Sequence, residues 1–133
     1  MGEYNAMAKP IHNRVDTIFI HVSDLKRAVQ WYSKLLGVVV EDGEFPGPIY
    51  SFHVGGGAPA LTLDNHCLDE DYQFTPSNQP LFNFSCENIH EAYQHVQSLG
   101  AEIVTEIQTF PDLSEFSFKD PDGNIIMVCT CFS

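Results

Sequence analysis

The sequence predicts an α+β fold in which two βαβββ modules form a curved, open mixed sheet with helices on its outer face. Each half contains a β-rich run, then an amphipathic helical stretch, then three further extended segments. Landmarks of the first half recur 63 to 66 residues later: Asp24 matches Asn88, Leu36-Gly37 matches Leu99-Gly100, and Ser51-Phe52 matches Ser117-Phe118. This shared period indicates two similar modules rather than one continuous βαβ chain.

The first module begins with a strand at Val15 to Val22, where successive side chains alternate between two faces. One face carries Ile18, Ile20 and Val22, and the other carries Thr17, Phe19 and His21. Asp24 suits the N-cap of the helix that follows, and Gly37 suits the left-handed position that ends it. Three extended segments are then predicted at 38–41, 49–54 and 60–64.

The second module repeats this order after a polar connector of about sixteen residues, whose length indicates that it crosses between the modules or covers a pocket. A strand is predicted at Leu81 to Cys86. Asn88 and Glu91 then form a capping box for the second helix, which ends at Gly100. The remaining extended segments are predicted at 101–108, at 115–119 and from the following turn to about Thr130.

The turn before the last strand, Phe118 to Asn124, reads FKDPDGN and predicts a β-hairpin. Pro121 fixes φ for the first central position of a type I turn, and Gly123 can take the positive φ that lets the next strand begin. Each helix is expected to cover one face of its own sheet. The opposite faces are then free to curve around a cavity.

We predict a single domain over residues 14–133 after a flexible lead-in at 1–13, with the first module at about 14–65, the connector at about 65–80 and the second module at about 81–131. A net charge of −12 with only six Lys and Arg residues argues against a nucleic-acid partner. No apolar run is long enough for a membrane span. The four cysteines form no C-x-x-C pair and no secretory signal is recognisable, so reduced thiols and a cytoplasmic location are expected.

Two stretches, HVSDLKRAVQWYSKLLG (His21 to Gly37) and FKDPDGN, resemble the vicinal oxygen chelate superfamily when read with the duplicated module order. That superfamily includes glyoxalase I, bleomycin-resistance proteins, fosfomycin-resistance enzymes and extradiol dioxygenases. The resemblance covers about residues 14–131 and implies a ligand cavity in a curved sheet and a homodimer. It does not select one function, because lyases, dioxygenases, transferases and binding proteins share this scaffold.

The resemblance also implies a place for a divalent metal, held by His, Glu or Gln side chains from the first and last strands of each module. The matching positions here are Thr17, Leu81, Met127 and Thr62, with Leu61 as the alternative to Thr62. These side chains lack the nitrogen and carboxylate donors that such a metal requires. We therefore predict no metal and no cofactor at these positions. This prediction depends on register, because a slip of one residue exchanges the two faces of a strand.

The leading hypothesis is a protein of the glyoxalase/bleomycin-resistance type that binds a small organic ligand in the cavity without the superfamily metal. The predicted lining consists of Thr17, Phe19, His21, Thr62, Leu81, Asn83, Ser85, Met127 and Cys129. The alternative is a metal-dependent enzyme, a lyase or an extradiol-dioxygenase type, with unusual ligands such as His21, His53 or Asp64. A third possibility is an interaction module whose cavity is filled by its own side chains.

Several of these residues have two interpretations that the sequence leaves open. His21 is either a general base or ligand contact, or a partly buried histidine with a hydrogen bond near the strand end. Cys129 is either a pocket thiol or a small buried hydrophobe. His66 and Cys67 are expected in a solvated part of the connector. His90 and His95 are five residues apart and are expected to face solvent. No nucleophile–base pair is recognisable, so no catalytic residue is predicted.

Overall fold

Seven strands and two helices form the part of the chain that the computed structural model describes, which comprises residues 10–53, 57 and 59–130. The first half contains β1 (Thr17–His21), α1 (Leu25–Leu36), β2 (Ile49–Phe52) and β3 (Ala60–Asp64). The second half contains β4 (Asn83–Ser85), α2 (Ile89–Ser98), β5 (Ile103–Thr109), β6 (Ser114–Lys119) and β7 (Ile125–Cys129). The α+β class predicted from the repeat is confirmed.

The strands form two open mixed sheets, in the orders β1-β3-β2 and β4-β7-β6-β5. In each sheet the strand that precedes the helix runs parallel to the last strand of its module, and the remaining pairs are antiparallel. The β1–β3 register places His21 opposite Asp64. The β4–β7 register places Asn83 opposite Met127. The equivalent pairing in both sheets is what a duplicated module predicts.

Each helix buries its apolar stripe against its own sheet, as the spacing predicts. Helix α1 contacts β2 and β3, and α2 contacts β5, β6 and β7. Asp24 caps α1 through its side chain, which accepts the Arg27 N–H at 3.1 Å. Asn88 caps α2 in the same way. The buried core is one cluster with residues from both modules, and its members between β1 and β3 are Ile20, Val22, Leu25, Ala28, Val29, Tyr32, Phe52, Leu61 and Leu63.

The strand predicted at 38–41 is wrong, since residues 38–48 contain neither helix nor strand. Val39 exposes 97 % of its surface and Val38 exposes 45 %. The β preference of three consecutive valines depends on a half-buried, paired surface, which this segment lacks. The described residues of the first module therefore form βαββ, one strand fewer than those of the second. The second module's first strand also begins later than predicted, at Asn83, so Leu81 precedes it and is 70 % exposed.

The predicted hairpin turn is confirmed, and its side chains join the two modules. Asp120 Oδ1 accepts the N–H groups of Asp122 and Asn124, both at 2.9 Å. Its other oxygen accepts the Tyr32 hydroxyl of α1 at 2.6 Å. Asn124 Nδ2 donates to the His21 carbonyl at 2.8 Å. The turn therefore fixes the end of β1 against the second module.

Some predictions fall on residues that lie outside the described part of the chain: 1–9 of the lead-in, residue 54 of the segment predicted at 49–54, and 131–133 of the predicted domain. Single-domain organisation stays a prediction. Within the described residues, neither helix has the length and apolar character needed to span a bilayer.

Candidate functional site

A cavity of about 280 Å³ lies between β1, the beginning of the second module and the connector. The wall from β1 consists of Phe19, Ile20 and His21. The second module contributes Leu81, Phe82, Asn124, Ile125 and Ile126, and the connector contributes Thr75, Ser77, Asn78 and Gln79. The cavity thus combines aromatic and aliphatic walls with a few amides and hydroxyls, which is the usual make-up of a small-molecule pocket.

Three of the nine predicted lining residues border this cavity, namely Phe19, His21 and Leu81. The other six do not border it. Thr17 lies farther along β1, and Thr62 is the register partner of Phe19 on the neighbouring strand. Paired positions of the second sheet are occupied by Asn83, Ser85, Met127 and Cys129. The prediction placed all nine residues around one cavity in the curved sheet. The observed cavity lies where the two modules meet, and it includes connector residues that the alternation of side chains along strands could not identify. Ligand binding by any of the nine stays a prediction.

Cys129 is buried in the core, as the second of its two predicted interpretations requires, but it is not a free thiol. It is almost fully buried and it is disulfide-bonded, so it is not a pocket thiol. The expectation of reduced thiols is therefore wrong at this position. Among the described residues Cys67 and Cys86 are free, and burial raises the pKa of the Cys86 thiol.

Two of the four positions that match the superfamily metal ligands, Thr17 and Thr62, belong to a chain of hydroxyl groups. Thr17 Oγ1 lies 2.6 Å from Thr62 Oγ1 and also donates to the Ala60 carbonyl at 3.1 Å. Ser51 Oγ lies 2.8 Å from Thr62 Oγ1. The neighbouring Leu61 belongs to the hydrophobic core, whereas the Thr62 side chain contacts Thr17 and Ser51, so Thr62 is the inner-face residue of the two that were considered. Neutral hydroxyls that already bond to one another do not fit a divalent cation.

Two imidazoles and a carboxylate meet instead at the far end of the same strands. His21, Asp64 and His66 each present one potential ligating atom, and these atoms lie within 4.8 Å of one another. His21 Nδ1 is 2.7 Å from His66 Nε2, and His66 Nε2 is 3.7 Å from Asp64 Oδ2. All three residues are partly buried. We call these three residues the imidazole–carboxylate cluster.

His66 reaches the cluster because the chain reverses immediately after β3. Its φ is +56°, a left-handed value that is uncommon for a residue other than glycine. The Asp64 side chain stabilises this turn by accepting the His66 N–H at 2.8 Å. The Tyr72 ring stacks on the imidazole with centroids 3.6 Å apart and an interplanar angle of 9°. Partial burial, followed by the charge of Asp64, raises the pKa of Tyr72.

The solvated position expected for His66 is therefore wrong, since only 20 % of its side chain is exposed. The available signal was Asp64 two residues before it, because an Asp after a strand commonly bonds to the backbone two residues on. His53, which was considered as a partner of His21, is exposed and lies outside the cluster.

A sequence model described as the Glyoxalase/Bleomycin resistance protein/Dioxygenase superfamily matches residues 14–128. The chain belongs to this superfamily. The match covers both modules, the connector and the hairpin turn, so the resemblance seen in the two motifs extends over most of the chain. No curated protein matches this chain in sequence.

Solved structures with this superfamily fold are similar to the chain over most of its length. A member of the superfamily from Sphaerobacter thermophilus DSM 20745 is 23 % identical, with a TM-score of 0.70 over 89 % of this chain and 97 % of the other. A lactoylglutathione lyase from Agrobacterium tumefaciens is 18 % identical, with a TM-score of 0.63 over 91 % and 95 %. The oxidase ChaP-H1 is 16 % identical, with a TM-score of 0.67 over 90 % and 96 %. At these identities the likeness establishes the fold alone.

The two histidines of the second helix are exposed, as the spacing predicted. His95 has a structural contact as well, because its Nε2 lies 3.1 Å from the Lys34 carbonyl and 3.0 Å from the Leu35 carbonyl. These carbonyls belong to the last turn of α1, where the carbonyl groups have no hydrogen-bond donor within the helix. His95 therefore joins the ends of the two helices and takes no part in the cavity.

Proposed function

We propose that this superfamily member binds a small, planar organic ligand in the cavity between β1 and the second module. The observation that carries the proposal is an aromatic wall that is only partly covered. Phe19 exposes 47 % of its surface although its neighbour Ile20 is 4 % exposed. An exposed aromatic ring on a concave surface offers apolar area and a face for stacking.

Polar groups around this wall support the same function. Asn78 and Gln79 border the cavity together with His21. Amide and imidazole groups can both donate and accept hydrogen bonds, so they can orient a ligand that stacks on Phe19. The hydroxyl chain at Thr17 and Thr62 supports ligand binding without the superfamily metal at its usual place. The net charge of −12 favours a neutral or cationic ligand over an anionic one.

Replacement of Phe19 by alanine tests this proposal. A set of small planar aromatic compounds is screened by ¹⁵N–¹H chemical-shift changes, and the affinity of each binder is measured for both proteins. We expect Phe19→Ala to weaken binding by about tenfold or more, because the ligand loses a buried aromatic contact.

Phe110→Ala is the matched control, because Phe110 is 48 % exposed and does not border the cavity. It should leave the affinity within about twofold. Equal affinities for the two variants, or a screen in which no compound shifts the signals of the cavity residues, would contradict the proposal.

We also propose that the chain forms a homodimer. β2 is an edge strand whose first residue, Ile49, is 54 % exposed, and the nearby Val39 is 97 % exposed. An unpaired strand edge beside exposed apolar side chains favours association with a second copy. Sedimentation equilibrium should give twice the mass of the chain, and a monomer at micromolar concentration would contradict this proposal. A cytoplasmic location and the lack of a nucleic-acid partner stay predictions.

A metal-dependent enzyme of the lyase or extradiol-dioxygenase type is the second candidate. The imidazole–carboxylate cluster favours it, because this cluster contains two residues considered as unusual ligands, His21 and Asp64. Turnover of hemithioacetals or catechols that increases on addition of a divalent metal would support this candidate. Lack of such turnover with the common divalent ions would count against it.

A further inference from the structure

The imidazole–carboxylate cluster has the donor composition of a transition-metal site. Two imidazole nitrogens and one carboxylate suit zinc and its first-row neighbours, whereas magnesium and calcium prefer sites made of oxygen. The three potential ligating atoms come from the ends of two paired strands and from the turn that follows, and they lie within 4.8 Å of one another. This convergence depends on tertiary structure, because His21 is more than forty residues from the other two.

The spacing of the two imidazoles is close to that of two ligands of one ion. His21 Nδ1 and His66 Nε2 are 2.7 Å apart, so one nitrogen donates a hydrogen bond and the other accepts it. Two nitrogens bound tetrahedrally to zinc stand roughly 3.3 Å apart. A small rotation of the His21 ring would therefore admit an ion. With an ion bound, the imidazole that now donates would carry its proton on its other ring nitrogen. Both imidazoles would therefore stay neutral.

Several contacts hold the three side chains in place. Asp64 Oδ1 accepts the His66 backbone N–H at 2.8 Å. Its second oxygen, Oδ2, lies 3.7 Å from His66 Nε2. Tyr72 stacks on His66 and restricts the rotation of its ring. The His21 carbonyl accepts a hydrogen bond from Asn124, which fixes the end of β1. A site whose ligands are positioned by such outer contacts binds metal more tightly than a mobile one.

We propose that His21, Asp64 and His66 form a binding site for a divalent transition-metal ion of the zinc type. The site is separate from the superfamily metal position, because Thr17 lies four residues earlier on β1, which corresponds to about 13 Å along a strand. Three protein ligands leave room for a water molecule or an exogenous ligand on the ion. His21 also borders the cavity, so the ion would lie at the cavity wall. This inference does not depend on the proposed binding of an organic ligand.

The test uses the full chain, freed of metal with a chelator, and zinc chloride and cobalt chloride as probes. Titration calorimetry should show one zinc ion per chain. Cobalt should give the visible absorption bands of an ion with fewer than six ligands. His21→Ala and His66→Ala should each lower the zinc affinity by about 100-fold or more and remove the cobalt bands.

Two variants serve as controls. His53→Ala removes an exposed histidine outside the cluster, and Cys67→Ser removes the free thiol next to His66. Both should keep the zinc affinity within about twofold. Circular dichroism and thermal unfolding of each metal-free variant show whether it is folded, and zinc should raise the unfolding temperature of the parent chain but not that of His66→Ala.

The proposal is overturned if the parent chain shows no saturable zinc binding. It is also overturned if folded His21→Ala and His66→Ala bind zinc as tightly as the parent, or if Cys67→Ser alone abolishes binding. The aromatic screen with metal-free protein is a separate measurement, so failure of the ligand proposal and failure of the metal proposal can be told apart.

Discussion

Asp120 is a carboxylate in a nearly closed environment, with 5 % of its surface exposed. Burial raises its pKa, while hydrogen bonds from Tyr32 and Asn124 lower it and offset part of the effect. Its partner Tyr32 is fully buried, and burial together with the charge of Asp120 raises the pKa of the phenol well above its usual range. At the scale of single residues, the stability of the fold therefore depends on the hydrogen bond from the Tyr32 hydroxyl to Asp120.

Tyr32→Phe should destabilise the chain at neutral pH by about 1.5–3 kcal/mol, because a buried carboxylate loses a donor. The deficit should shrink above about pH 10. There the unfolded parent chain releases the Tyr32 proton while the folded chain retains it, so the parent loses stability as pH rises and the variant has no such loss at this position. Urea unfolding of both proteins at pH 7 and about pH 11 measures the difference.

Tyr93→Phe is the control for the neutral-pH value. Tyr93 donates to Glu106 at 2.6 Å on the protein surface, where water can replace the bond. Its loss should cost less than about 1 kcal/mol. A stability difference between Tyr32→Phe and the parent that stays constant or grows in alkali would contradict the interpretation.

At the scale of elements, the sequence predicts whatever depends on local pattern. Alternation identified the faces of β1, and Asp24, Asn88 and the hairpin turn marked where elements begin and end. The failure at 38–41 has the same origin, because three valines carry β preference but no information on whether a neighbouring strand pairs with them. β4 was placed about two residues too early, since Leu81 and Phe82 continue the apolar pattern without joining the ladder.

The candidate site was predictable only in part, for a related reason. Phe19 and His21 follow from the alternation of β1, and both border the cavity. The connector residues that complete its wall belong to no periodic segment. His66 depends on a left-handed backbone conformation, which a histidine adopts only when its surroundings favour it. Tertiary contacts, rather than local propensity, decide these positions.

At the scale of the whole molecule, the two modules contribute to one hydrophobic core, and polar side chains of the hairpin turn add hydrogen bonds between them. Asn124 is 3 % exposed, and it bonds to the His21 carbonyl in the first module, to Asp120 in its own turn and to the Ser77 N–H of the connector. Arg27 of α1 contacts Asp122 at 2.8 Å, which is a further link between the modules. Asn124 therefore contacts both modules and the connector.

Asn124→Ala should lower the free energy of unfolding by about 3 kcal/mol or more, because two backbone groups and a carboxylate lose buried partners at once. Asn13→Ala, at an exposed position before β1, should change it by less than about 0.5 kcal/mol. Denaturant unfolding at neutral pH compares the two variants with the parent chain. A cost below 1 kcal/mol for Asn124→Ala would show that the turn is not a principal link between the modules.

The hydrogen bond between Tyr32 and Asp120 makes each repeat depend on the other for its structure. A half-length polypeptide containing the second repeat would keep the Asp120 carboxylate but lack the Tyr32 phenol. One containing the first repeat would keep the Tyr32 hydroxyl but lack the carboxylate that accepts its hydrogen bond. Neither repeat should persist as a stable fragment, and co-expression of the two pieces should restore structure where each piece separately is degraded.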